Sequence, residues 1–98
     1  MKRIVLHPAA EAETDTAFEW YWTRSRVAAL RFDAELRRVF MLVSHAPQRG
    51  APFLHGTRRV HLSRFPFAVV FRELADRIEV LAVAHAKRRP GYWAGRSE

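Results

Sequence analysis

Cysteine is absent from this 98-residue chain. No disulfide can staple the fold, no thiolate can act as a nucleophile, and zinc sites built on cysteine are excluded, a composition that fits a reducing cytosol. Long apolar runs are missing as well. The N-terminal stretch Met1-Lys2-Arg3-Ile4-Val5-Leu6-His7-Pro8 has two basic residues, but only three apolar ones before His7 and Pro8 interrupt it. A secretory leader needs roughly 7–15 apolar residues and a membrane span about 20. A cytoplasmic location with no membrane span is therefore expected. Glycine and proline are scarce, at four and five, and there is no Gly-rich phosphate loop, paired-carboxylate motif or Ser/His/Asp arrangement. His7, His45, His55 and His61 show no pair at metal-ligand spacing. Neither a metal nor a cofactor is expected.

What is present is a core-forming composition, 49% hydrophobic and 12% aromatic. A chain of this length makes one small domain, residues 1–98, burying roughly 60–65% of the surface its unfolded chain exposes. Acids are in the minority, ten against seventeen cations, for a net charge of +7. Residues 1–49 hold eight basic and six acidic residues, and residues 50–98 hold nine and four, so most of the excess sits in the second half. Fifteen of the cations are arginine, whose planar fork suits phosphate and carboxylate better than an ammonium does. The partners this implies are a nucleic acid, an acidic protein segment or an anionic membrane surface; the alternative is a generic arginine-rich exterior.

Lys2 to Leu6 reads as a first strand ended by His7-Pro8, and Pro8 suits the first turn of a following helix. That helix is predicted from Ala9 to about Thr23. Glu11, Glu13 and Asp15 lie in its early turns, where the helix dipole favours negative charge, and Ala10, Ala17, Phe18 and Tyr21 form its apolar stripe, widened by Trp20 and Trp22. Ser25 is a candidate N-cap for a second helix over Arg26 to about Ser44, where Ala29, Phe32, Leu36, Val39, Phe40 and Val43 recur at three- and four-residue steps. The short connection makes an antiparallel helical hairpin. Ala46 to Gly56, with two prolines and two glycines, reads as loop. The period then changes to two. Thr57 to Leu62 and Phe65 to Phe71 alternate, a turn spans Glu73 to Arg77, and Ile78 to His85 is apolar on both faces, as in a central strand. A basic tail follows from about residue 86 to 98. The predicted architecture is α+β: β-α-α-β-β-β, with the hairpin on one face of a mainly antiparallel four-stranded sheet.

Several segments, in order, resemble the RelE/ParE superfamily of bacterial toxins, and most of all its plasmid-stabilisation, ParE-like branch. They are Pro8-Ala9-Ala10, Trp20-Tyr21, Arg24-Ser25 and Phe32 with Glu35-Leu36, then Arg58-Arg59-Val60, Arg64 to Arg72, Ile78 to His85, and Arg88-Arg89-Pro90-Gly91-Tyr92-Trp93. The likeness spans residues 4 to 93. It implies the toxin half of a type II toxin–antitoxin pair, forming a hetero-oligomer with a cognate antitoxin whose acidic or amphipathic segment wraps it. It implies one of two actions: ParE-like poisoning of DNA gyrase, toward which the matching segments lean, or RelE-like cleavage of messenger RNA on the ribosome. A third reading, from charge alone, is a non-toxic nucleic-acid-binding module.

Metal-free RNA cleavage needs a base for the ribose 2′-hydroxyl, an acid for the leaving oxygen and cations for the phosphorane charge. His85, Tyr92, Arg64 and Arg72 are the catalytic candidates should the chain be such a nuclease, with His85 foremost because its ordinary pKa suits proton transfer near neutrality. The alternative for His85 is a structural residue ending a core strand, and for Tyr92 and Trp93 an aromatic anchor for the tail. Arg58, Arg59, Lys87, Arg88, Arg89 and Trp93 are the candidate contacts with target or antitoxin. If Arg72 pairs with Ile78 across the turn, Arg64 and Arg72 leave the sheet on the face opposite His85, which then neighbours Phe65.

Overall fold

In the computed structural model, residues 1–97 are described. Strand β1 (Arg3–Leu6) is followed by helices α1 (Pro8–Trp22) and α2 (Arg26–His45), then by β2 (Ala51–Pro52), β3 (Arg58–His61), β4 (Phe67–Glu73) and β5 (Arg77–His85). The sheet order is β1-β5-β4-β3-β2. β1 runs parallel to β5, and every other pairing is antiparallel.

Local chemistry sets the helix ends. Pro8 opens α1, and the His7 side chain accepts a hydrogen bond from the Ala9 amide at 3.0 Å, satisfying one of the donors a helix start leaves unpaired. Ser25 caps α2 by accepting from the Ala28 amide at 3.2 Å, and its own amide donates to the Tyr21 carbonyl at 2.8 Å. The chain therefore reverses within three residues. Phe32, Leu36, Val39 and Val43 of α2 are buried in one cluster with the sheet residues Val69, Phe71, Ile78, Val80 and Val83. Tyr21, Phe32, Phe65 and Phe67 interlock at centroid distances of 5.2 to 5.5 Å, mostly edge to face, as ring quadrupoles prefer. At the far end of α2 the Ser44 hydroxyl donates to the Lys2 carbonyl, and the Lys2 amide donates to the Ser44 carbonyl at 3.0 Å.

Three features depart from the sequence expectation. The sheet has five strands, because Ala51–Pro52 within the expected loop pairs with Arg58 and Arg59; Pro52 is accommodated because the strand is an edge. The residues after His85 fold back over the sheet face that the helices leave open. There Trp93 is buried at 1% exposure with Val70, Leu81 and Ala82; residue 98, the end of the expected tail, lies outside the described residues. The β4–β5 register is also shifted by one: Arg72 faces Glu79, not Ile78. A bulge compensates. Val70 pairs with Ala82 and Phe71 with Val80, so Leu81 is an extra residue on β5 that resets the alternation. His85 consequently lies opposite Phe67 rather than beside Phe65, on the helix face, while Arg72 emerges on the other face, as expected.

Candidate functional site

β1 is shorter than β5, and pairing ends where Leu6 meets Val80. Beyond that point the backbone of β5 would present an open edge, a liability that proteins cover. Here side chains cover it. The Glu13 carboxylate of α1 accepts from the Val83 amide at 3.1 Å, from the Tyr92 hydroxyl at 2.6 Å and from Arg96 at 2.9 and 3.1 Å. Arg96 also donates to the Leu81 carbonyl at 3.0 Å. The two charged side chains are 16% and 19% exposed, so the pair is shielded and charge-assisted. Burial, then the hydrogen bond to Glu13 and that carboxylate's charge, push the Tyr92 phenol up to about 12. The Arg96 guanidinium is raised chiefly by its hydrogen bond to Glu13.

Beside this latch a groove of about 540 Å³ runs between α1 and the ends of β4 and β5. Ala12, Thr16 and Trp20 form its helical wall, Phe67 and Val83 its apolar floor, and His85, Tyr92 and the Arg88 cation its polar rim. Trp20 is 52% exposed at its mouth.

His85 sits on that rim with its Nδ1 accepting from the Lys87 amide at 3.0 Å and its ring edge-on to Phe67 at 5.0 Å. An acceptor at Nδ1 places the proton of the neutral ring on Nε2. In that tautomer Nε2 is a donor, able to serve as an acid or to contact an anion. Tyr92 is engaged with Glu13, and Arg72 is paired with Glu79 at 2.7 Å. Arg72 is five residues along β4 from Phe67, the partner of His85, a separation of about 17 Å at strand rise. Arg64 lies in the tight β3–β4 connection with φ of 68°. Of the four candidate catalytic residues, His85 and Tyr92 line the same groove, whereas Arg64 and Arg72 lie apart from it.

The contact candidates divide by face. Arg58 donates to the Gly50 carbonyl at 2.7 Å and holds the chain before β2. Arg59 lies 4.0 Å over Phe53, and Arg88 lies 3.9 Å over Tyr92. Lys87 and Arg89 are exposed. Trp93 offers no contact surface; it supports this face from beneath, with Phe53 and His55 each at 5.9 Å. Among the described residues no group of three His, Asp or Glu is placed to hold a metal ion, and no helix is long and apolar enough to cross a membrane.

Glu13 and Arg96 were not singled out from the sequence, yet Glu13 left a signal. It stands three residues after Ala10 and four before Ala17, on the buried stripe of α1, where a carboxylate needs partners. Arg96, two positions before Glu98, left none.

Comparison with known proteins places the fold and then the family. A chain of the "Chromosomal ParDE TA system from P. aeruginosa" superimposes with a TM-score of 0.74 at 21% identity, covering 87% of this chain and 96% of that one, so the two share a fold. The "Toxin ParE2" sequences of Mycobacterium tuberculosis strains H37Rv and CDC 1551 / Oshkosh are each 28% identical over 94 residues, 91% of this chain and 86% of theirs. The family model described as "ParE toxin of type II toxin-antitoxin system, parDE" matches residues 4–90. The chain belongs to this ParE toxin family, the toxins of type II toxin–antitoxin systems.

Proposed function

We propose that this toxin inhibits growth by a ParE-like action on DNA gyrase and is neutralised by a cognate antitoxin seated in the groove beside α1. The observation that carries the antitoxin half is the groove itself. Its apolar floor of Phe67 and Val83 and the Arg88 guanidinium at its rim suit an amphipathic segment with acidic flanks, which would gain its ordering energy on docking. Family membership supports the gyrase half.

The test uses two assays on the intact chain and on its His85→Ala variant: supercoiling by purified gyrase with added toxin, and primer extension on messenger RNA after induction. Supercoiling is expected to be inhibited by both proteins. Cleavage of messenger RNA within codons, abolished by His85→Ala, overturns the gyrase reading in favour of the nuclease. For the antitoxin, a small neighbouring gene product is expected to co-purify, and Thr16→Trp, which fills the groove, is expected to weaken that complex while toxicity persists. Undiminished binding to Thr16→Trp places the antitoxin elsewhere.

A further inference from the structure

The sheet face turned away from the helices carries a second concavity, of about 150 Å³. Its floor is set by Ala68 and Ala84, which lie directly opposite one another on β4 and β5; two small side chains there leave a depression. Its walls are cationic, with Arg59 and His61 rising from β3 on one side and Arg88 and Arg89 from the returning tail on the other. No aspartate or glutamate lines it. Among the described residues, no ion pair engages Arg59, Arg88 or Arg89.

Three guanidiniums in one concavity repel each other, and the fold holds two of them by rings rather than by carboxylates. Arg59 rests on Phe53 and Arg88 on Tyr92. Both rings are themselves fixed, Phe53 against buried Trp93 and Tyr92 by its hydrogen bond to Glu13. A guanidinium stacked on a ring keeps its in-plane N–H groups available for another acceptor. The arginines are therefore oriented in advance, uncompensated, and aimed into a space with a small apolar floor.

We propose that this depression binds the phosphodiester backbone of single-stranded nucleic acid. A carboxylate is planar and is satisfied by one guanidinium fork. A phosphodiester offers non-bridging oxygens in more than one direction and repeats along the strand, so it can use donors arriving from β3 and from the tail at once. The exposed His55, edge-on to the Trp93 that underlies the depression, provides a flat ring beside it for an unpaired base. A flexible single strand can lay a phosphate on this small floor and turn a base outward, which a stacked duplex cannot do without unpairing. The site adjoins the groove beside α1, and the proposal depends neither on an antitoxin nor on gyrase.

The experiment titrates the full chain into fluorescently labelled single-stranded DNA and RNA of about 12 nucleotides, within the usual range of site sizes, over a series of salt concentrations. Binding of either supports the proposal, and the tighter one names the nucleic acid. The Arg88→Gln/Arg89→Gln variant, altered at two exposed positions, is expected to bind about 10- to 100-fold more weakly. Its dependence of log K on log salt should flatten by about 1.4, since each phosphate contact on a single strand contributes about 0.7. Arg31→Gln/Arg37→Gln removes the same charge from the exposed side of α2 and is expected to stay within about twofold. Equal losses in the two variants would reduce the effect to overall charge and overturn the site. So would undiminished binding by Arg88→Gln/Arg89→Gln. Displacement of the oligonucleotide by polyglutamate more readily than by polyphosphate overturns it in favour of an acidic protein segment.

Discussion

Arg96 lies 83 positions along the chain from Glu13, and its Nη1 is 2.9 Å from the Glu13 Oε1. This pair joins the last described turn to the first helix and closes the open edge of β5 through Val83 and Leu81. Replacing Arg96 by Met leaves a shielded carboxylate with fewer donors, and replacing Glu13 by Gln leaves a shielded guanidinium without its counter-charge. Each is expected to cost about 2–3 kcal/mol. Chemical denaturation of the two single variants and the double variant checks it: the double should cost clearly less than the two singles together. Strict additivity would mean that the pair contributes nothing as a pair.

Tyr92 gives the same latch an alkaline limit. Its folded-state pKa of about 12 lies above the ordinary 10.0, so the fold favours the neutral phenol. That contribution is fully present below pH 10 and is lost as the pH rises through the folded value. Ultraviolet titration should show a late tyrosinate step that Tyr92→Phe abolishes, while Tyr21, raised by burial, continues to titrate. In denaturant both tyrosines should titrate near 10.

Acid acts at another joint. The Glu35 carboxylate accepts from Arg38 at 2.8 Å and from the Ser63 amide at 2.6 Å, fastening α2 to the β3–β4 connection that carries Arg64. Its pKa is lowered below 4.5, first by the Arg38 hydrogen bond and also by Ser63, against the opposing effect of burial. A lowered folded-state value contributes stability above the unfolded pKa and loses it as the pH falls through the folded one. Glu35→Gln should therefore reduce stability near neutrality and flatten the acid limb of the stability profile. An unchanged acid limb in thermal melts would remove Glu35 from the account.

Of the four glycines, Gly50 leaves the least room for a methyl group. A Cβ there would lie 2.6 and 2.8 Å from two atoms of the Phe71 ring and 3.1 Å from the Arg58 Cβ. Phe71 is fully buried and cannot swing aside. Gly50→Ala should destabilise the protein by about 1–3 kcal/mol through overpacking, whereas Gly95→Ala, with nothing within 4 Å, should be close to neutral. Equal denaturation midpoints for the two variants would contradict this.

Periodicity made both helices, the Ser25 cap and the three long strands legible, because each buries one stripe against one layer and the stripe is written in the spacing. The Ala51–Pro52 pairing was not legible, since an edge strand of two residues with a proline has no period to display. The Leu81 bulge was hidden for a related reason: β5 is apolar on both faces, so an extra residue leaves the pattern unchanged. The candidate site divides along the same line. Its cations and aromatics could be named from residue type, whereas the engagement of His85 Nδ1 by the Lys87 amide, or of Tyr92 by Glu13, depends on chain reversals that no local pattern encodes.

Leu81 also bears on how the length of this chain can change. Because Leu81 and Ala82 together oppose Val70, removing Leu81 would leave an unbroken ladder with Val83 and His85 still on the helix side, whereas removing a residue between Val83 and His85 would turn His85 to the opposite side. The Pro47–Gly56 segment carries no such phase, and its residues are mostly exposed. Length variants of this toxin should therefore survive there and at the bulge, while the rest of β5 behaves as a ruler whose graduation cannot be shifted by one.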